Sequence, residues 1–299
     1  MPELPEVEAI RRKLNQVLPE KTVLDIERLR EKSFPEYPEM LTQLRSQKIL
    51  SVERRAKILQ FSLTGDYDLF IHLKMTGQLI YLAADGQRLG GGHPTADWVQ
   101  NLPSKHTRVI FSFSDQSKLF FNDLRVFGWV KVFAKNAKNP LYRGLGPDVI
   151  STEEIRAGQL NPQTTEDMIH YLWQQAQKRS IPIKQLIMEN QVLCGVGNIY
   201  ANEALFRVGI SPFRPSKLLK LQEIRELSEA LRAIVLEAVQ LGGTTFDGMY
   251  VNVDGFAGEF QQKLLVYGQE GKACSRCGNL ILRKKQAGRS SFYCPHCQI

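Results

Sequence analysis

The 299-residue chain lacks any long apolar stretch. No uninterrupted apolar run approaches the ~20 residues needed to cross a bilayer, and the acidic N-terminus has no apolar segment of the kind that directs export. Internal repeats and low-complexity tracts are absent as well. These absences argue against membrane and repeat architectures. They predict a soluble cytoplasmic protein without a membrane partner, long enough for two domains with separate cores.

Cysteine is scarce, with five in the chain, but four of the five form two close pairs. Cys274 and Cys277 make one pair, Cys294 and Cys297 make the other, and sixteen residues separate the pairs. Each pair can present two thiolates from one tight turn, so two such turns complete a tetrahedral zinc site. Disulfides are the alternative, which a reducing compartment disfavours. We therefore expect one structural Zn²⁺, with Cys194 as a small buried side chain.

Acidic residues are scarce near the C-terminus. Residues 263–299 contain seven Lys or Arg and a single acidic residue, Glu270. The whole chain has a net charge of +8 and a pI near 9.2, so this tail supplies six of the eight net positive charges. Such a balance favours a polyanionic partner such as nucleic acid, although a solvated surface would have the same composition.

The apolar periodicity changes near residue 140. Residues 5–18 predict a first helix, and residues 22–133 contain the β-branched and aromatic runs typical of a β-sandwich or barrel. Three consecutive glycines and two prolines predict a long loop at residues 85–106. Beyond a linker at 136–150 the apolar spacing becomes helical, most clearly in residues 218–241.

The second residue is a candidate nucleophile. Removal of Met1 would free the ring nitrogen of Pro2, and an α-amine with a pKa of about 7.7–8.0 is partly deprotonated at neutral pH. Such an amine can attack an electrophilic carbon and form an iminium, as lysine does in Schiff-base catalysis. A proline here also suits the start of a helix, and for Pro2 by itself this simpler interpretation stays open.

A second candidate lies at Asn198, which follows two glycines and precedes a helical stretch at 199–206. Its side chain could cap that helix. Alternatively, the N–H groups at the helix start could bind a phosphodiester. The local sequence supports both interpretations equally.

Together these motifs resemble the bacterial formamidopyrimidine-DNA glycosylases, of the helix-two-turn-helix DNA glycosylase family, along nearly the whole chain. The matching segments occur in the family's order: 2–8, 54–57, 72–77, 195–203, 266–268 and the four cysteines.

The resemblance implies an α+β fold of two domains. An N-terminal β-sandwich flanked by helices is followed by a C-terminal helical helix-two-turn-helix domain with a four-cysteine zinc finger, and DNA runs in the cleft between. We therefore expect a catalytic β-sandwich domain at 1–135, a linker at 136–150, a helix-two-turn-helix domain at 151–262 and a zinc finger at 263–299.

The resemblance also implies catalytic roles. Pro2 would attack C1′ of the damaged nucleotide, and Glu3 would act as general acid and base on the opening sugar. Glu6 would help to position the N-terminus. Lys57 would hold phosphate near the lesion.

For DNA binding, the resemblance implies that the damaged nucleotide is flipped out of the duplex and that a trio of side chains fills the space. This trio is Met75, Arg125 and Phe127. Contacts to the DNA backbone are implied for four further residues: His72, Asn198, Tyr267 and Arg289. Lys184 is a weaker candidate.

The activity implied is base-excision repair by a bifunctional glycosylase and AP lyase. It would remove formamidopyrimidines, and 8-oxoguanine opposite cytosine, from double-stranded DNA by way of a Pro2 Schiff base and β,δ-elimination. A monomer in the bacterial cytoplasm or nucleoid is expected.

Three alternatives stay open. An endonuclease VIII-like enzyme for oxidised pyrimidines would use the same proline, but Leu4 and the Met75, Arg125 and Phe127 trio favour the purine enzyme. A non-catalytic zinc-ribbon DNA-binding protein would have no need of Pro2, and a proline-based tautomerase would have no need of zinc or a basic tail.

The chain also departs from the family's common pattern. Leu124 and Val126 stand where the family commonly has Pro and Arg, and Gln269 stands where Arg is usual. Residues 244–250 lack a basic residue common in the loop that covers the flipped base. These departures bear on the range of lesions and leave the lyase chemistry untouched.

Overall fold

In the computed structural model, the described residues are 2–92, 102–135, 139–244 and 259–299. They form two compact units. The first unit contains the chain up to Arg143 together with residues 242–244 and Glu259, and the second contains Gly144–Leu241 and Phe260–Ile299. No helix among these residues is long and apolar enough to cross a membrane.

The described part of the first unit contains nine strands and two α-helices. The helices are α1 (Leu4–Val17) and α2 (Leu41–Leu44). The strands are β1 (Val23–Arg28), β2 (Ile49–Arg55), β3 (Ile58–Leu63), β4 (Tyr67–His72), β5 (Gly77–Leu82), β6 (Arg88–Gly92), β7 (Thr107–Phe113), β8 (Lys118–Asp123) and β9 (Trp129–Ala134).

These strands form two antiparallel sheets, with orders β1-β7-β8-β5-β6 and β2-β3-β4-β9. Residues of both sheets contribute to one hydrophobic core, which confirms the expected β-sandwich. Alternation along β3 is typical, because Leu59, Phe61 and Leu63 are buried while Gln60 and Ser62 lie between them and are partly exposed. Helix α1 adds its buried apolar face to the same core.

The second unit is mainly helical. Its helices are α3 (Thr152–Ala157), α4 (Pro162–Gln177), α5 (Ile183–Met188), α6 (Asn198–Arg207) and α7 (Leu221–Gln240), and its hairpin consists of β10 (Leu282–Gln286) and β11 (Arg289–Tyr293). Helix α6 contacts α5, α7 and β11, so it lies at the centre of this unit. Helix α7 ends before Gly242, whose φ of 73° fits the usual glycine stop.

Two details differ from the sequence-based expectation. The helix predicted at 218–241 begins only at Leu221, because Ser216–Leu218 forms a separate 3₁₀ turn. The long loop predicted at 85–106 is wrong for Arg88–Gly92, which pairs with β5 as strand β6. Position 92 in this strand requires glycine. Its φ is 124°, and a Cβ there would lie 2.4 Å from the Gly77 carbonyl oxygen. Residues 93–101 lie outside the described part.

Candidate active site and DNA interface

Pro2 and Glu3 lie at the N-terminal end of helix α1, and both are buried. Glu3 is the residue that precedes the helix, and its backbone N–H donates to Glu6 Oε2 over 2.8 Å. This bond satisfies an N–H group at the helix start and places the Glu6 carboxylate beside the N-terminus. Met1 lies outside the described residues.

Lys57 lies in the two-residue turn between β2 and β3, where Arg55 pairs with Ile58. The preceding Ala56 has a φ of 54°, as a tight hairpin turn requires. The Lys57 residue is only 6% exposed. The turn and the burial therefore restrict where the Lys57 side chain can lie.

A buried ion pair joins this turn to helix α1. Arg54 Nε lies 3.1 Å from Glu8 Oε2, and both side chains are fully buried. Arg54 Nη1 also donates to the carbonyl oxygen of Ala56 over 2.8 Å, while Arg11 Nη2 lies 2.9 Å from Glu8. Burial by itself would raise the pKa of Glu8, but Arg54 and Arg11 hold that pKa below its ordinary value. Helix α1 and the turn that carries Lys57 are thus held together by charge.

His72 ends strand β4 and is neutral. Its Nδ1 accepts the backbone N–H of Lys74 over 2.9 Å, which leaves the ring proton on Nε2. Burial, together with the nearby charges of Lys74 and Lys57, lowers the pKa of His72 to about 3. The site therefore offers one neutral donor and two neighbouring cations, a combination that suits a phosphate group.

The trio Met75, Arg125 and Phe127 is brought together by two loops, one after β4 and one after β8. Arg125 Nη1 lies 3.4 Å from Met75 Sδ, and the Arg125 guanidinium lies 4.8 Å from the centre of the Phe127 ring. Met75 is 42% exposed and Phe127 is 44% exposed. Leu124, next to Arg125, is 46% exposed. Large apolar side chains that are exposed side by side are characteristic of an interaction surface.

In the second unit, Asn198 is the first residue of helix α6, and Gly197 occupies the cap position. The capping interpretation of Asn198 is therefore wrong. Its Nδ2 donates to the carbonyl oxygen of Ser290 over 3.0 Å, so its side chain reaches the β10–β11 hairpin. Lys184 Nζ donates to the same oxygen over 2.9 Å and to Ser291 Oγ over 2.8 Å. Lys184 is buried and acts as a structural anchor of this hairpin.

The hairpin turn consists of Ala287 and Gly288, with φ values of 45° and 78°, and it presents Arg289 as an exposed residue. Because Ser290 is held by Asn198, the structure brings Asn198 and Arg289 to the same end of the hairpin. Two of the four residues expected to contact the DNA backbone therefore lie near each other.

Tyr267 is positioned by Glu203, a buried residue of helix α6. The Glu203 carboxylate accepts the backbone N–H groups of Leu265, Val266 and Tyr267 over 2.9, 3.0 and 2.8 Å. Burial raises the pKa of Glu203, against the three N–H donors that lower it. The Tyr267 ring packs on Phe292 with 5.0 Å between ring centres. Glu203 was not singled out as a site residue in the sequence, because its partners lie more than sixty positions away.

The four paired cysteines converge. Their Sγ atoms all lie within 4.8 Å of one another, and the pairs Cys277–Cys294 and Cys274–Cys297 are separated by 3.4 and 3.9 Å. Four thiolates at Zn–S distances of about 2.3 Å would be about 3.8 Å apart, so the arrangement fits zinc. Backbone N–H groups of Arg276 and Cys297 point at sulfur atoms over 3.4 Å, as a thiolate site needs.

Each unit thus gathers its own set of expected residues. The first unit holds Pro2, Glu3, Lys57, His72 and the trio, and the second holds the remaining expected contacts and the cysteines.

Three segments of the chain match family models in order. Residues 1–130 match the formamidopyrimidine-DNA glycosylase N-terminal domain, residues 159–249 match the H2TH domain of that enzyme, and residues 271–299 match the zinc finger found in FPG and IleRS. The β-sandwich, the helical unit and the four-thiolate site follow the same order. They define the class as the helix-two-turn-helix DNA glycosylases.

Similar proteins cover nearly the whole chain. Formamidopyrimidine-DNA glycosylase of Pelotomaculum thermopropionicum is 37% identical over 300 residues, covering 100% of this chain and 99% of that relative. The Lactococcus lactis Fpg in complex with abasic-site DNA is 27% identical with a TM-score of 0.82, covering 99% of both chains. The MutM (Fpg) structure from Thermus thermophilus is 33% identical with a TM-score of 0.80, covering 99% of this chain and 98% of that one. The chain belongs to the formamidopyrimidine-DNA glycosylase family.

Proposed function

We propose that this chain is a base-excision repair enzyme that acts on double-stranded DNA containing damaged bases or abasic sites. It removes oxidised purines, namely formamidopyrimidines and 8-oxoguanine opposite cytosine. It then cleaves the backbone at the abasic site. We also propose that it acts as a monomer in the bacterial cytoplasm.

The chemistry starts at the free nitrogen of Pro2. This nitrogen attacks C1′ of the flipped nucleotide, the glycosidic bond breaks, and the base leaves with the bonding electron pair. Glu3 donates a proton as the sugar ring opens, and the C1′–nitrogen bond becomes an iminium. The iminium acidifies the C2′ proton, so that elimination expels first the 3′ and then the 5′ phosphate. Hydrolysis of the iminium releases Pro2.

Phosphate binding is divided between the two units. In the first unit, Lys57 and His72 hold phosphate near the lesion. In the second, Asn198 and Arg289 grip the backbone with help from Tyr267, and these contacts carry no sequence information. Cys274, Cys277, Cys294 and Cys297 would hold Zn²⁺, which would thereby fix the hairpin that carries Arg289.

The observation that best supports this proposal is the buried Glu8–Arg54 ion pair. It ties the helix that follows Pro2 and Glu3 to the turn that carries Lys57. A protein that only bound DNA would have no need to hold the helix that follows an N-terminal amine against the turn that carries a buried lysine.

Borohydride trapping tests the proposal. Reduction of the iminium on abasic-site DNA should leave the protein covalently attached to the DNA. Protein that retains Met1 should bind the same DNA without being trapped, because an amide nitrogen has a delocalised lone pair and cannot attack. Pro2→Gly keeps an amine but should be trapped far less. Normal strand cleavage by protein that mass spectrometry shows to retain Met1 would reject the role of Pro2.

A further inference from the structure

The two loops that carry the trio are joined by one buried carboxylate, Asp123. Its Oδ1 accepts the hydroxyl of Thr76 in a short hydrogen bond and the backbone N–H of Arg125 over 3.2 Å. Its Oδ2 accepts the backbone N–H of Gly128 over 2.7 Å. Thr76 Oγ1 in turn accepts the N–H of Arg125 over 3.0 Å. Asp123 is completely buried, so these contacts are shielded from water.

Both loops also contain backbone that would relax without such support. Lys74, directly before Met75, has a φ of 53°, and Val126, between Arg125 and Phe127, has a φ of 54°. A β-branched residue with this φ is a conformational outlier, which persists only where its surroundings hold it in place. The hydrogen bonds from Arg125 and Gly128 to Asp123 enclose Val126 on both sides.

The loop after β8 also closes against the body of the first unit. A Cβ at Gly128 would lie 2.7 Å from Phe121 Cζ and 2.9 Å from the His72 carbonyl oxygen. The backbone N–H of Gly128 can therefore reach Asp123 only because this position has no side chain. Both ends of the strained segment are thus fixed.

We propose that Asp123 and Thr76 are positioning residues, which hold Met75, Arg125 and Phe127 ready before DNA binds. The inference rests on the proposed function, because it assigns the trio to the space left by the flipped nucleotide. Neither residue touches DNA in this scheme. They act by fixing where the trio points, and so by setting how well the enzyme reads the base opposite the lesion.

Two substitutions separate this role from simple packing. Asp123→Asn replaces one acceptor oxygen with a donor, so the side chain can no longer accept from both Arg125 and Gly128. Thr76→Val keeps the shape and removes the hydroxyl that joins the two loops, whereas Thr76→Ser keeps that hydroxyl. Asp68→Asn is a matched control, because Asp68 is also buried in the first unit, where it accepts from Gln60 over 2.8 Å and Leu63 over 3.3 Å.

The experiment compares single-turnover excision of 8-oxoguanine opposite cytosine and opposite adenine, with cleavage of a preformed abasic site as an internal reference. Insertion of the trio is read separately from the fluorescence of 2-aminopurine placed beside an abasic-site analogue. Melting of each variant reports folding.

We expect Asp123→Asn and Thr76→Val to lose about tenfold in discrimination between cytosine and adenine, the effect of losing one buried hydrogen bond to a charged group. Both should weaken the fluorescence signal while abasic-site cleavage falls much less. Thr76→Ser and Asp68→Asn should keep the wild-type discrimination.

Unchanged discrimination and fluorescence in folded Thr76→Val would overturn the proposal, as would failure of Thr76→Ser to restore them. If Asp123→Asn does not fold, the comparison of Thr76→Val with Thr76→Ser tests the proposal. If the wild-type protein excises no damaged purine, the proposed function fails, while the fluorescence comparison still tests the positioning role.

Discussion

Glu6 and Thr244 are joined by two hydrogen bonds, although 238 positions separate them in the chain. Glu6 Oε1 accepts the backbone N–H of Thr244 over 2.8 Å and its hydroxyl over 3.0 Å. The other oxygen of Glu6 accepts the N–H of Glu3. One carboxylate therefore fixes both the N-terminus and the chain that follows helix α7. Residues 245–250, which continue from Thr244 and match the family's loop that covers the flipped base, lie outside the described part.

Gly243→Ala should disturb this contact. Gly243 has a φ of 86°, and a Cβ there would lie 2.8 Å from Glu6 Oε1. Gly86 is a matched control, because its φ is 88° with nothing within 4 Å of the added atom. Gly86→Ala should cost about 1–2 kcal/mol of unfolding free energy for the backbone alone. Gly243→Ala should cost more and should also slow borohydride trapping, since Glu6 must move. If Gly243→Ala and Gly86→Ala changed stability and trapping by the same amounts, the Glu6 contact would have no role in either.

Loss of zinc should unfold the zinc finger and leave the rest of the protein folded. Cys294→Ser removes one of four thiolates, and in such modules metal binding supplies the folding energy, about 10 kcal/mol or more. We expect the variant to lose its metal and its tight DNA binding, because Arg289 is misplaced, while the first unit stays folded. Cys194→Ser is the control, since Cys194 is buried and its thiol donates to the Asn190 carbonyl over 3.1 Å. Metal analysis and circular dichroism decide this, and active protein without zinc would contradict it.

Arg289→Ala should weaken binding to all duplexes alike. Arg289 is exposed at the hairpin turn, where loss of one phosphate contact should reduce the slope of log affinity against log salt by about 0.9. Asn198→Ala should weaken binding with little change in slope, because the amide is neutral. Lys48→Ala is a charge-matched control, as Lys48 is exposed in the first unit and pairs with Glu20 over 3.3 Å. If Arg289→Ala instead changed which base is removed while binding stayed intact, Arg289 would contact the flipped base rather than the DNA backbone.

His72 should contribute to acid sensitivity. The folded protein keeps this ring neutral down to a pKa of about 3, whereas in the unfolded chain it takes up a proton near 6.5. Between these values the unfolded state binds more protons, so the free energy of unfolding falls as the pH drops below about 6.5. The non-titrating variant His72→Asn should therefore show a shallower decline between pH 6.5 and 4.5. Denaturant titrations with identical pH slopes for the two proteins would reject this.

Much of the fold could be predicted from local pattern. Helix α1 begins within one residue of its expected start, and β3 lies within the predicted strand region, because apolar spacing along a short segment determines which face is buried. The cysteine spacing likewise predicted a convergence that the structure confirms.

The residues that hold the site in place could not be predicted in the same way. Asp123 contacts Thr76 across 47 positions, and Glu203 contacts Tyr267 across 64. These contacts depend on which strands pair and which helix packs on the zinc finger. The spacing of residues along a short segment does not determine either. Strand β6 was missed for the same reason, since its glycines favour a strand only through pairing with β5.

Lesion choice should follow the base that Arg125 meets. Arg125 is exposed, and its guanidinium is held between Met75 Sδ and the Phe127 ring, so it can donate to acceptor atoms on a cytosine left unpaired by flipping. Adenine presents a different set of donors and acceptors on its pairing edge. We therefore expect faster excision of 8-oxoguanine opposite cytosine than opposite adenine, by about 5- to 150-fold for about 1–3 kcal/mol of discrimination.

Arg125→Ala should abolish this difference, whereas Met75→Ala should slow excision opposite either base. The substituted residues at 244–250 should weaken activity on 8-oxoguanine more than on formamidopyrimidines, because an absent basic side chain removes a contact without closing the pocket. Single-turnover rates on four duplexes decide the matter: a formamidopyrimidine, 8-oxoguanine opposite each of the two bases, and an oxidised pyrimidine. Equal rates opposite cytosine and adenine would reject the role of Arg125. Fastest removal of the pyrimidine would assign the chain the specificity of an endonuclease VIII-like enzyme.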